Sequence, residues 1–246
     1  MKKAIHLLGL ACAAALFAAP SLFAMDHDSA CMPKNYCAYG LIGPGISWVN
    51  LERLNDNLAA SGASTFRQYT PTLVLGGHKE ADRMIMESFV TGLFWKDRVN
   101  AGLRTSVWLS NIMWNSGFNV LPASLPAIAF PFLGIGAGVN GIQVRSDKKK
   151  FSDILLTKEP NTALWQAAFL LNAGAGADLR IPMGNKPKGA VIGLRAGYTF
   201  DPFLKSKWRS EGTIVSDVPP AVQSGAFIKL VLGGWGGHMH DSDNDK

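Results

Sequence analysis

The sequence predicts an all-β protein, an antiparallel transmembrane β-barrel of about eight to ten strands with one short N-terminal helix. Three observations carry that prediction. Two long stretches in succession alternate between apolar residues and mostly polar or tiny ones, with Val191 a large apolar residue on the second set. A 40-residue span free of charge is too rich in Gly and Pro to be helical, and the N-terminus reads as an export signal.

The first stretch runs from Ala163 to Ile181. Trp165, Ala167, Phe169, Leu171, Ala173, Ala175, Ala177, Leu179 and Ile181 alternate with Gln166, Asn172, Gly174, Gly176, Asp178 and Arg180. After the turn-forming Pro182, Gly184, Asn185, Pro187 and Gly189, a second stretch places Ala190, Ile192, Leu194, Ala196, Tyr198 and Phe200 on one side. An α-helix would scatter these residues around its axis, so a period of two means strand. Strands of soluble sandwiches average about five to six residues, whereas a bilayer-crossing strand needs roughly 9–11. Both stretches reach the longer class, and an apolar face opposed to Gly, Asn and charge suits a barrel with lipid outside and a polar interior.

Thr105 to Val144 contains no Asp, Glu, Lys, Arg or His. Transmembrane helices are ruled against by Pro122, Pro126 and Pro131 and by Gly117, Gly134, Gly136, Gly138 and Gly141, which break or weaken helices repeatedly. Leu133, Ile135, Ala137 and Val139 alternate with Gly134, Gly136, Gly138 and Asn140. Upstream, Val99, Ala101, Leu103, Val107 and Leu109 alternate with Asn100, Gly102, Arg104, Ser106 and Ser110, which predicts a lipid face for the first set; Trp108 interrupts the second. Further strands are expected at Tyr36–Trp48, Phe66–Gly76, Met84–Trp95, Asn115–Leu121 and Gly225–Trp235. One segment is helical in character: Asn50 as cap, Leu51, Leu54 and Leu58 at helical spacing and Gly62 as a stop predict a helix over Leu51–Ser61, plugging the lumen or lying at the periplasmic rim.

Lys2 and Lys3, the apolar run from Ile5 to Phe17 and the small residues ending at Ala24 form a secretory signal, with residues 1–24 expected to be removed. Leu22 is unfavourable near that cut, so cleavage after Ala19 and an uncleaved anchor stay open, as does lipidation at Cys12. Residues 25–237 are then one barrel domain and 238–246 a polar tail. Cys31 and Cys37, separated by five residues in an exported chain, are expected to form a disulfide; two thiols could bind metal, but no second pair completes a zinc site.

The formal charge of +6 is not gathered into a stripe with interleaved aromatics, so nucleic acid is not an expected partner. Lys148, Lys149, Lys150, Lys186, Lys188, Lys205, Lys207 and Arg209 fall in turn-like segments where they would meet water or anionic headgroups. Arg104, Asp178, Arg180 and Arg195 fall on the expected lumen face and are predicted to pair there, since pairing offsets the cost of burial.

The sequence contains no GxSxG, HExxH or Walker motif, and no cofactor is expected. His78 near Glu80 and Asp82 is the one grouping with acid and base potential, and His238 and His240 with the tail acids the one with metal-ligand potential.

Pro131-Phe-Leu-Gly-Ile-Gly-Ala-Gly138, Gly193-Leu-Arg-Ala-Gly-Tyr-Thr-Phe-Asp-Pro202 and Ser224-Gly-Ala-Phe-Ile-Lys-Leu-Val-Leu-Gly-Gly-Trp-Gly236 resemble the strands of small bacterial outer-membrane β-barrel proteins. The resemblance implies a place in the bacterial outer membrane and contact with its lipids or lipopolysaccharide. It also implies delivery by periplasmic chaperone and barrel assembly machinery, and a structural, surface-contact or small-solute role without catalysis. Many such barrels end on an aromatic residue, whereas this chain continues past Trp235. Two alternatives stand beside this reading, a soluble periplasmic barrel holding an apolar ligand and an envelope lipid-modifying enzyme. In a membrane barrel Trp48, Trp95, Trp108, Trp165, Trp208 and Trp235 belong at strand ends; in a soluble one they belong in a core.

Overall fold

The alternating segments become long strands that close on themselves. A computed structural model describes residues 35–62, 64–94, 98–100, 103–122, 124–146, 161–183, 188–203, 208–210, 213–215 and 223–239. In chain order the elements are β1 (Asn35–Trp48), α1 (Glu52–Ala60), β2 (Tyr69–Ala81), β3 (Met84–Phe94), β4 (Arg98–Asn100), β5 (Leu103–Phe118) and β6 (Ala127–Ser146). They continue as β7 (Asn161–Pro182), β8 (Lys188–Phe200), β9 (Trp208–Ser210), β10 (Thr213–Val215) and β11 (Gly225–Met239). β1, β2, β3, β5, β6, β7, β8 and β11 pair antiparallel, each with the next, and β11 returns to β1 from Asn35↔Met239 to Ser47↔Phe227. This is a closed eight-stranded up-and-down barrel; among the described residues only the projecting first half of β7 lacks a β8 partner, and β9 touches it there at Trp165↔Arg209. The short β4 pairs with β5, and β9 with β10 forms a small hairpin beside the start of β7.

The two ends of the barrel differ. Residues 82–83, 119–126 and 183–187 make short links at the end that also carries Asn35 and Met239. Asp82 takes the left-handed region there, at φ 55°, which Asp tolerates far better than branched residues. The strand ends joined by 49–68, 95–102, 147–160 and 201–224 lie at the opposite end, and three of these four connections are the longest in the barrel. β6 and β7, at 20 and 22 residues, exceed what a membrane crossing requires and extend past the barrel wall toward that end.

Alternation along each strand separates two environments. Val74, Phe89, Met113, Phe130, Leu170 and Val231 are enclosed, while Ile42, Leu73, Ile135, Leu194 and Leu230 on outward positions are exposed and Leu133 is 70% accessible. A soluble monomer does not carry a continuous apolar belt of this kind, since its largest apolar patch is about 300–600 Å². The apolar faces of β6, β7, β8 and β11 point outward, which a ligand-filled soluble barrel would reverse.

Several elements differ in extent from the expectation. The stretches around Val99–Ser110 and Asn115–Leu121 are joined in the single strand β5, and Phe66 precedes β2 rather than belonging to it. β11 continues to Met239, two residues past the expected domain end at 237; residues 1–34, with the signal and Cys31, and 240–246 lie outside the described residues.

The facing of β5 at its first half is the reverse of the expectation. Val107 and Leu109 point inward and are buried, and Arg104, Ser106 and Trp108 take the outward register. The physical reason is α1. Asn50 Oδ1 accepts the Glu52 N–H at 3.2 Å, and Leu54 and Leu58 form the buried stripe of the helix. Val49, Leu51, Leu54, Leu58 and Phe66 pack with Val107, Leu109, Ile142 and Trp208 into one apolar cluster at the long-connection end. Here the lumen face is apolar because a helix fills it. The helix therefore plugs the mouth at the end opposite Asn35 and Met239.

Candidate functional site: the closed lumen and its rim

Below the plug lies a layer of amides. Asn111 Nδ2 donates to Gln223 Oε1 at 3.2 Å, and Gln223 Nε2 donates to Asn140 Oδ1 at 2.5 Å. Gly138 permits this, because a Cβ there would stand 2.7 Å from Gln223 Nε2. Deeper, Lys229 Nζ donates to Thr91 Oγ1 at 3.2 Å and lies 4.7 Å and 5.4 Å from the ring centroids of Phe227 and Phe89. Cation–π contact of this sort supports an ammonium that has left water.

The charged layer follows toward the end with Asn35 and Met239. Arg195 on β8 donates through Nε to Glu87 Oε1 at 2.9 Å and through Nη2 at 2.6 Å. It reaches Asp178 on β7 through Nη1 at 2.5 Å and Nη2 at 2.9 Å. Tyr39 on β1 donates its hydroxyl to Asp178 Oδ2 at 2.5 Å, and its ring stacks on His78 with centroids 4.2 Å apart. His78 Nδ1 lies 3.0 Å from Glu87 Oε1, and since that carboxylate only accepts, Nδ1 carries the proton. Phe130 lies under the guanidinium, 4.8 Å from Arg195 Cζ. Outside this group Arg180 pairs with Glu80. Residues from β1, β2, β3, β7 and β8 thus meet in one hydrogen-bonded knot across the lumen, with Phe130 of β6 packed against it.

His78, Glu87 and Asp178 offer ligand atoms within 4.8 Å of one another, the one such group among the described residues. Their chemistry fits a cation, and Arg195 already supplies it, its guanidinium being bonded to both carboxylates. The side chains of His78, Glu87, Asp178 and Arg195 are between 0 and 1% accessible, so no substrate reaches them. The arrangement bolts strands together.

Asp178, Arg180 and Arg195 occupy inward registers, and the first and third share the knot. Arg104 does not join them, because its strand turns Thr105 and Val107 inward and leaves Arg104 on the outer side. Cys37 is half-buried beside Tyr39, Leu41 and Val74; its expected partner Cys31 lies outside the described residues. His78 meets Glu87 rather than the nearby acids, since Glu80 turns to Arg180 and Asp82 forms the hairpin tip. Tyr39, Glu87 and Lys229 carry as much of the lumen as the expected residues do. Their signal was positional: each stands at an inward position of an alternating strand.

At the long-connection rim Trp48, Trp165 and Tyr69 are exposed on outward positions. Trp108 and Trp165 stand on either side of Gly141, whose missing Cβ would lie 2.0 Å from the Trp108 ring, and Arg209 lies 5.7 Å over Trp165. Trp114 is exposed on the outer wall, whereas Trp208 is buried in the plug. Trp95 and the side chain of Trp235 lie outside the described residues. Aromatic residues at one rim of an apolar belt are the interfacial girdle of a membrane barrel.

The chain is a membrane β-barrel with a closed lumen. No family model matches the sequence, and no curated protein is significantly similar to it. Solved structures similar to it include the attachment invasion locus protein Ail of Yersinia pestis, with TM-score 0.45, 11% identity and 81% of this chain aligned to 97% of that one. Neisserial surface protein A aligns with TM-score 0.40 and 12% identity over 82% of this chain and 96% of its own. A major outer membrane protein from Thermus thermophilus aligns with TM-score 0.41 and 10% identity over 82% and 99%.

Proposed function

We propose that this protein is an outer-membrane barrel that acts through its exterior and its long connections, as a structural and surface-contact element. The observation that carries this reading is the double closure of the lumen, by the α1 plug at one end and the Arg195 knot at the other. An eight-stranded barrel has an interior only wide enough for side chains, and here large residues and salt bridges occupy it. Contact therefore accounts for the architecture better than solute passage.

In this reading residues 1–24 direct export and are removed, chaperones and the assembly machinery deliver the barrel, and the long connections face outward. Cys31 and Cys37 then pair in the oxidising periplasm. The outward rim offers Trp165 with Arg209 over it, and Arg104 further along β5 beyond Trp108. Aromatic rings at the interface with guanidinium groups just above them suit the phosphates of lipopolysaccharide, which arginine binds through paired hydrogen bonds.

The test is fractionation of the expressing bacterium with electrophoresis before and after boiling, followed by protease treatment of intact cells. Recovery in the outer membrane, a heat-dependent mobility shift and cleavage within 147–160 or 201–224 from outside are expected. Recovery in the soluble periplasm, or cleavage from outside only at the short links, overturns the reading.

A further inference from the structure

The outer wall of the barrel is not uniformly convex. A groove of about 940 Å³ crosses β1, β2, β3, β5 and β6 and reaches Leu171 on β7, in the half nearer Asn35 and Met239. Outward-facing Gly40, Gly77 and Ser88 form its floor, and Met86, Trp114 and Leu133 rise at its sides. Registers Gly40↔Gly77, Gly77↔Ser88 and Ser88↔Trp114 place the floor and one wall in a single row around the barrel.

The glycines of that floor differ from those of the lumen. Inward Gly43, Gly76 and Gly193 are imposed by close approach, since a Cβ would stand 1.8 Å, 2.4 Å and 1.9 Å from the nearest atom. At Gly40 a Cβ would meet nothing within 4 Å, and at Gly77 nothing nearer than 3.7 Å. The barrel does not need these two residues small; what their smallness makes is the space outside.

The end of the groove supplies the second part of the site. Lys79 takes an outward position beside Met86, three residues before the β2–β3 hairpin tip, and Arg83 at that tip lies 5.9 Å over the Phe118 ring. A lysine on an apolar wall lays its stem along that wall and carries its ammonium to headgroup level. Glu80, between them in the hairpin, faces inward and pairs with Arg180.

We propose that this groove is a binding site for one diacyl phospholipid of the leaflet on the side of Asn35 and Met239, with acyl chains over Gly40 and Gly77 and the phosphate held by Lys79 and Arg83. The volume lies near the top of the roughly 300–1,000 Å³ range of small-molecule sites, and its walls are almost wholly apolar. The cations sit at one end only, as a phosphate at one end of two hydrocarbon chains requires. The assignment rests on the membrane orientation proposed above.

The test is native mass spectrometry of the full chain, folded in detergent and supplied with phosphatidylglycerol. Wild type is expected to retain one phospholipid at activation energies that strip detergent. Gly40→Leu/Gly77→Leu, whose Cβ atoms have open space and whose side chains would occupy the groove, is expected to lose it, and Lys79→Gln/Arg83→Gln to weaken it. Leu194→Ala, exposed on β8 across the barrel from β3, is expected to retain it. Equal retention by wild type and the filled variant, both keeping the heat-dependent shift, overturns this site alone. A dimer in wild type that the filled variant abolishes assigns the groove to a second copy and overturns it as well. Absence of the shift in wild type overturns the membrane reading together with it.

Discussion

Arg195 on β8 spans the lumen to Glu87 on β3, placing Nε 2.9 Å and Nη2 2.6 Å from the same carboxylate oxygen. The two residues are 108 positions apart and their strands are not neighbours in the barrel. The ion pair therefore ties opposite walls together. Removing one member of such a buried pair leaves the other charge without a partner, at a cost of about 3–5 kcal/mol. Arg195→Met is expected to lower the temperature at which the heat-dependent shift occurs, and Arg195→Met/Glu87→Leu to recover part of the loss. A single variant as stable as wild type would remove the knot from the account of stability.

Gly193 and Gly40 make an opposed pair of substitutions. A Cβ on Gly193 would lie 1.9 Å from Asp178 Oδ1 and 2.9 Å from Arg195 Nη1, so Gly193→Ala is expected to displace the knot and cost several kcal/mol, on the order of other broken buried networks. Gly40→Ala meets nothing and is expected to remain within about 0.5 kcal/mol of wild type, as surface changes do. Urea unfolding in detergent, followed by tryptophan emission, measures both.

Leu54 and Leu58 anchor the plug. Leu54→Ala is expected to cost about 2–5 kcal/mol of local stability, the range for buried leucines, and to expose residues 49–68 to protease while the barrel keeps its heat-dependent shift. Conductance in planar bilayers is expected to stay at the wild-type level, because the Arg195 knot still closes the lumen below. Large stable conductance in this variant would show that the plug alone seals the barrel.

The tryptophans divide by face. In vesicles of brominated lipid, single-tryptophan variants keeping Trp114 or Trp165 are expected to be strongly quenched, since both side chains are exposed on the outer wall. A variant keeping Trp208 is expected to resist quenching, being 1% accessible within the plug. Equal quenching at all three would contradict the assigned facing.

Much of the wall was legible from alternation alone. β7, β8 and β11 face as their patterns require because lipid contacts only one side of a strand, and register errors would turn every side chain over. β5 was misread at Val107 and Leu109 for the same reason reversed: an apolar side chain marks an apolar neighbour, and lipid and a leucine-rich helix look alike to it. Arg104 was carried to the wrong face with them. Which groups Tyr39, Glu87 and Lys229 meet does not follow from alternation, because their partners come from strands far off in sequence.

The sequence by itself determined the strand class, the long hydrophobic period and the one helix, since each depends on neighbours within a few residues along the chain. Which inward residues meet was decided only by closure, which sets the register of eight strands at once and brings Glu87, Asp178 and Arg195 to one point. The same closure placed α1 over the mouth opposite Asn35 and Met239, where its leucines, and not lipid, meet the apolar face of β5.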